Sequence, residues 1–212
     1  MLISKNMDNA IRVLLVRKKL TVRNLAKEAN ISLGIASKIA NMLKKTGYVT
    51  FKRGQGIYVT NWVRLLKAWS YTSSLKELET MEFIAAERPQ YLIKKIASIA
   101  QKNNLQYAFT LLSATELIAP YVSPNETHLY ILEPEKKKWE LALRKENIFP
   151  AERGNVICFL VDEARLYGSF NIRGINIISF PQLYADLFSV GGRLEESAEE
   201  LLKIIKESDE NV

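Results

Sequence analysis

Cysteine and histidine are almost missing from this chain. Its 212 residues hold one of each, Cys158 and His128. A single cysteine excludes an internal disulfide framework. It sits in the apolar run Val156-Ile157-Cys158-Phe159-Leu160-Val161, where a thiol packs as a small inert hydrophobe. One histidine beside one cysteine does not make a zinc site of the ordinary ligand types, and no metal or cofactor is expected. The same poverty counts against Ser-His and Cys-His nucleophilic catalysis. Long apolar runs are lacking too. None approaches the ~18 residues of a membrane-spanning helix, so no membrane partner is expected. No basic-then-apolar leader with a small-residue cleavage site opens the chain, and the expected location is cytoplasmic.

The most telling scarcity is of acid near the N-terminus. Residues 1–70 contain fourteen Lys or Arg against two acids, Asp8 and Glu28, a net +12. Residues 71–212 contain sixteen basic and twenty-one acidic residues, a net −5, which together make the +7 of the whole. One basic module joined to one mildly acidic module is implied, with a polyanion as the partner of the basic half.

The basic module has a pattern. Ile11, Leu14, Leu15 and Lys18 recur at helical spacing, so a helix is expected over 9–18. Thr21 can cap a short helix at 22–29, with Leu25 and Ala26 inward. Asn30-Ile31 forms a turn. Ser32 caps a third helix at 33–46, with Ile35, Ile39, Met42 and Leu43 as its apolar face, and Gly47 ends it in the left-handed conformation. Strands at 48–52 and 56–60 flank the turn Arg53-Gly54-Gln55-Gly56. Helix, helix, turn, helix and hairpin is the order of a winged helix-turn-helix.

A major groove about 12 Å wide admits one helix, and the preceding helix braces it. With the apolar face turned to that brace, Ser32, Leu33, Gly34, Ser37, Lys38 and Asn41 face outward. The small residues permit close approach, and Lys38 and Asn41 offer donors to base edges or phosphates. Lys44 and Lys45 suit phosphate or, equally, the helix dipole. Lys52, Arg53 and Gln55 mark the wing, whose alternative reading is a solvated hairpin tip. No aromatic platform for unpaired bases is evident, so double-stranded DNA is the expected partner.

A helix at 61–70 with Trp62, Leu65, Leu66 and Trp69 is expected to dock on the wing module. A linker is expected over 71–82 and a mixed α/β domain over 83–212, giving an α+β protein. In that domain the pattern predicts strands at 82–86, 106–112, 127–132, 155–161, 165–172 and 175–179. Helices are expected at 90–103, 113–119 (capped by Ser113), 134–145, from Pro181 to 189, and at 193–207, with a frayed acidic C-terminus. Gly191-Gly192 before the last helix reads as a turn needing positive φ, or as an anion cradle with Arg193. Asp186 is expected to pair with Arg193.

The segments YAFTLLSATELIAPYVSPNETHLYIL (107–132) and SFPQLYADLFSVGGRLEESAEELLKII (179–205) resemble the C-terminal domain of the AbiEi family. The run Pro181-Gln182-Leu183-Tyr184-x-Asp186-Leu187 and Gly191-Gly192-Arg193 carry most of the likeness. That family comprises antitoxins and transcriptional regulators of type IV toxin–antitoxin systems. The resemblance implies an autoregulating repressor and a cognate nucleotidyltransferase-like toxin as partner; a homodimer, with the sheet packing on a second copy, is a separate expectation. The C-terminal domain also resembles a degenerate nucleotidyltransferase core. Its active relatives carry an Asp-x-Asp strand, where this chain has His128-Leu129-Tyr130. Imidazole and phenol do not replace two magnesium-binding carboxylates, so no catalytic residue is assigned. A ligand-sensing regulator and a nucleotidyltransferase fused to a nucleic-acid module remain as alternatives.

Overall fold

The computed structural model describes residues 3–118, 120 and 123–210. Ala119, Tyr121 and Val122 of the AbiEi-like segment, and the last two residues of the chain, lie outside them. Helix α1 (Lys5–Arg17) starts one turn before the apolar periodicity does, because the Ser4 hydroxyl accepts from the Met7 amide. Lys18 follows as its cap in the left-handed conformation, φ 56°. Helices α2 (Val22–Glu28) and α3 (Leu33–Lys45) are capped as their sequence suggests, by Thr21 and Ser32.

Strands β2 (Val49–Lys52) and β3 (Gly56–Val59) form a hairpin, and a two-residue strand, β1 (Lys19–Leu20), pairs with β3 to make a three-stranded sheet. Two residues carry no periodicity, so β1 could not be read from the sequence. Gly56 is obligatory there: its φ is +94°, and a Cβ would lie 2.6 Å from the Leu20 carbonyl oxygen.

Helix α4 (Trp62–Ser70) packs on α1, as expected, but more extensively on a later helix, α8 (Phe180–Val190). The stretch expected as a polar linker over 71–82 does more than connect. Leu75 and Ser73 are buried, and strand β4 (Thr80–Ile84) begins inside it. Then follow α5 (Pro89–Asn103), β5 (Tyr107–Phe109), α6 (Leu111–Ile118), β6 (Thr127–Leu132), α7 (Lys136–Lys145), β7 (Phe149–Pro150) and β8 (Val156–Val161). A one-turn helix at Glu163–Leu166 replaces the first half of the strand expected over 165–172, and leaves β9 (Phe170–Ile172) and β10 (Ile175–Ile177). Asp162 explains this, since its carboxylate accepts the Arg165 amide and starts a turn. The chain closes with α8 and α9 (Arg193–Glu210).

The large sheet has seven strands in the order β7-β4-β8-β6-β5-β10-β9. Pairs β6/β8 and β5/β10 are parallel and the rest antiparallel, so the fold is mixed α+β. Central β6 and β8 read as near-continuous apolar runs, as befits strands covered on both faces. One continuous buried core joins Leu14, Leu65 and Trp69 of the first seventy residues to Tyr184 and Leu201 near the end. No described helix is long and apolar enough to cross a membrane.

Candidate nucleic-acid interface and the buried joint behind it

Helix α3 sets the geometry of the surface. Ala36, Ile39, Ala40 and Leu43 face the interior. The sequence pattern placed Ile35 and Met42 in that face, but Ile35 is only half-buried and Met42 is 43% exposed. Ala36 and Ala40 are fully buried, so α3 lies close on the core and a larger side chain at 36 or 40 would overpack it. The outer face therefore gains Met42 beside Lys38, Asn41 and Lys45, all exposed. Ser32, Gly34 and Leu33 stand at its N-terminal end, with Leu33 54% exposed, while Ser37 is half-buried. The Asn41 amide lies 3.5 Å from the Ser37 hydroxyl, a marginal contact that leaves its carbonyl oxygen available.

The hairpin stands beside this helix. Lys44 Nζ lies 5.5 Å from the centroid of Phe51 in β2. At the hairpin the Tyr58 ring is approached by two ammonium groups, Lys52 Nζ at 4.5 Å and Lys19 Nζ at 5.0 Å. The Tyr58 hydroxyl donates to the Gln55 side chain. Such contacts hold long cationic side chains over the ring without neutralising them. Lys52, Arg53, Gly54 and Gln55 are exposed. Lys19 joins the basic surface only because β1 pairs across from Tyr58, a placement no local pattern signals. Between Glu28 and Glu77 the chain contains no acidic residue, so nothing on α3 or the hairpin offsets this charge. All eleven side chains or backbone positions expected at a nucleic-acid surface thus lie on α3 or the hairpin.

Behind this surface lies a buried polar network that ties α1 to the large sheet. Arg12 is 2% exposed. Its guanidinium donates to Asp8 at 2.6 Å, to Asn9 at 3.1 Å and to the Gln182 carbonyl oxygen at 2.9 Å. Trp69 Nε1–H donates to the other Asp8 oxygen at 2.7 Å. Gln182 passes the connection on, donating to Asp186 at 2.8 Å. Asp186 is fully buried and also accepts from Thr110 at 2.6 Å, Tyr130 at 2.7 Å and Arg165 at 3.3 Å. Burial raises the Asp186 carboxyl above its ordinary value, and the Arg165 guanidinium and the hydrogen bonds from Thr110, Tyr130 and Gln182 oppose that. A carboxylate facing four donors is acting only as an acceptor, which is its ionised form. Burial lowers Arg12, with Asp8 opposing. Two arginines and two aspartates balance in charge, the buried Arg12 and Asp186 each facing a half-buried opposite charge, Asp8 and Arg165.

This network corrects one expectation and gives another residue a partner. Asp186 pairs with Arg165 and not with Arg193, which is exposed. Tyr130, expected in the place of a metal-binding aspartate, is a buried donor of the joint. Gly191 and Gly192 have φ of 80° and 60°, which fits the turn reading.

Leu111 begins α6 with φ 51°, and Ser113, expected as that helix's cap, lies within it and accepts the His128 amide at 2.9 Å. A cavity of about 500 Å3 opens there, lined by Leu111, Leu112, His128, Phe159, Val190 and Leu194 among others. Burial pushes His128 down to a pKa of about 4, against the raising pull of Glu82, so it is neutral at physiological pH. Among the described residues no three His, Cys, Asp or Glu side chains gather to hold a metal. Cys158 is buried in β8, and burial raises its thiol far above the reactive range.

A family model described as "Transcriptional regulator, AbiEi antitoxin, Type IV TA system" matches residues 58–208. Neither the curated proteins nor the solved structures yield a match to the chain. The family match begins within β3, so α3 and the hairpin turn lie outside it and stand on their own geometry.

Proposed function

The chain belongs to the AbiEi family of transcriptional regulators and antitoxins of type IV toxin–antitoxin systems, and from that premise we propose that it is a sequence-specific double-stranded DNA-binding repressor. Residues 1–70 are the winged helix-turn-helix in this reading. Helix α3 enters the major groove. Ser37, Lys38 and Asn41 meet base edges, and Ser32, Leu33 and Gly34 allow the close approach. Lys44, Lys45, Lys52 and Arg53 neutralise phosphates, with Gln55 at the wing tip. Residues 83–212 are the second domain, with the fold of a degenerate nucleotidyltransferase and no transferase activity. It serves contacts with a cognate toxin or with a second copy of the chain, in the cytoplasm.

The observation that carries this reading is an exposed α3 face flanked by lysines and a basic hairpin, in a 48-residue stretch without acid. The non-enzymatic part rests on donor chemistry. His128 and Tyr130 occupy the strand where two carboxylates would hold metal and phosphate, and a neutral imidazole and a buried phenol do neither.

The test is footprinting of the full chain on the DNA upstream of its own reading frame, with a salt titration of the same complex. A discrete protected site is expected. The log–log salt slope should be about −0.9 per phosphate contacted. Uniform, salt-insensitive association with that DNA and with unrelated duplexes would overturn the proposal. Incorporation of labelled nucleotide with magnesium or manganese present would overturn its non-enzymatic part.

A further inference from the structure

The nine glycines of the chain fall into two unequal groups. Seven have positive φ, and at Gly154 a Cβ would lie 2.1 Å from the Phe83 carbonyl oxygen. The fold itself therefore favours glycine at eight positions. Gly34 is the exception. It is the second residue of α3, has no positive φ, and a Cβ there would meet nothing within 4 Å. An exposed glycine is less favourable in a helix than alanine, so the stability of the protein gives no reason for it.

Leu33 stands beside it, more than half exposed. Single exposed leucines are common and carry no meaning by themselves. The surroundings of this one do. Leu33, Ser37 and Asn41 recur every four residues and so form one row along α3, in which the Asn41 amide lies 3.5 Å from the Ser37 hydroxyl. The row lies within the acid-free stretch between Glu28 and Glu77, with Lys38, Lys44 and Lys45 exposed around it. Such unbalanced positive charge fits a polyanion. In the major groove of DNA the one methyl group on a base edge is that of thymine.

We propose that Leu33 reads thymine, its side chain packed on the 5-methyl group of one base, with Gly34 leaving room for the helix backbone to come close. This assignment rests on α3 entering the major groove, and it adds the base that the first turn of the helix selects. Ser37 and Asn41 reach base edges further along the same row. Met42 is the other exposed large apolar side chain among the described residues of the first seventy. It lies off this row, one turn from Lys38 and Lys45.

The test uses the full chain and the DNA site that it protects upstream of its own reading frame. Each thymine of that duplex is replaced in turn by deoxyuridine, which deletes the methyl group and keeps the O4 acceptor and the pairing. One such duplex should bind about fourfold more weakly, the worth of one buried methyl-sized group. Leu33→Ala should bind that duplex and its thymine parent equally. Its side chain is mostly in solvent, so the variant should fold like the parent, which circular dichroism checks. Gly34→Ala should melt no lower than the parent and bind the site at least about fivefold more weakly, because the added methyl meets the base edges. Equal affinity for every thymine and deoxyuridine duplex would overturn the assignment and leave the DNA-binding reading intact. The absence of any protected site would sink both. A deoxyuridine effect that persists in Leu33→Ala and vanishes in Met42→Ala would give the methyl contact to Met42 and refute the role of Leu33. Undiminished affinity in Gly34→Ala would refute the close approach on which the contact depends.

Discussion

The molecule keeps its charges in two opposite ways. On α3 and the hairpin, lysines and arginines stand in solvent with no carboxylate among them. In the joint between α1 and α8, the buried Arg12 and Asp186 are met by the half-buried Asp8 and Arg165, with nearly every donor matched. Exposed unbalanced charge contributes little to folding and much to attraction of a polyanion. Buried balanced charge does the reverse: its desolvation cost is offset only while every partner is present. The same residue types therefore predict opposite consequences of mutation in the two places.

The largest expected effect breaks the buried side of this contrast. Asp186→Ala leaves Arg165 without its carboxylate and should cost about 3–5 kcal/mol in urea unfolding. The double variant Asp186→Leu/Arg165→Leu should recover part of that loss, because no lone charge remains. A loss below about 1 kcal/mol in the single variant would mean that the network is ornamental.

A second experiment asks whether burial also governs the lone histidine. His128 has a folded pKa of about 4, below the ordinary value of about 6.5. As pH falls between these values the unfolded chain takes up the proton first. Its contribution to stability is therefore intact above pH about 6.5 and falls by about 3 kcal/mol on reaching pH about 4. His128→Phe should lose that part of the pH dependence, read as a shallower decline of unfolding free energy over this window. Parallel curves for the two proteins would refute it.

Smaller effects belong to the exposed side. Lys38→Ala and Asn41→Ala should each cost about 1–3 kcal/mol on a selected DNA site and leave the unfolding midpoint unchanged. Unchanged operator affinity in both would detach α3 from recognition. The mildest effect should come from Arg53→Ala. It should weaken all duplexes evenly and reduce the salt slope by about 0.9. A change confined to one sequence would instead give Arg53 a base contact.

Much of the order of elements was legible because amphipathic helices and apolar strands carry their period in the sequence. Strand β6 runs over 127–132, as the pattern implied, and the caps of α2 and α3 were visible as Thr21 and Ser32. The outward residues of α3 were legible for the same reason. Met42 was misread because Ala36 and Ala40, small and weakly apolar, fill the inner face in its place. Lys19, by contrast, reaches the hairpin through a two-residue strand. The run around Gln182 and Asp186 stood out in the sequence, and its purpose did not. Those side chains meet Arg12, Thr110, Tyr130 and Arg165, partners between 21 and 170 residues distant.

The sequence alone therefore determined the segregation of charge, the helix–helix–helix–hairpin order at the N-terminus and the apolar strands of the sheet. Each is a local property, written in composition, periodicity and capping residues within a few turns of chain. Only the tertiary structure decided which charges are buried and which aspartate meets which arginine. Those depend on contacts between elements far apart in the chain. A side chain's burial, and with it the sign of its charge's effect on stability, is set by what folds over it.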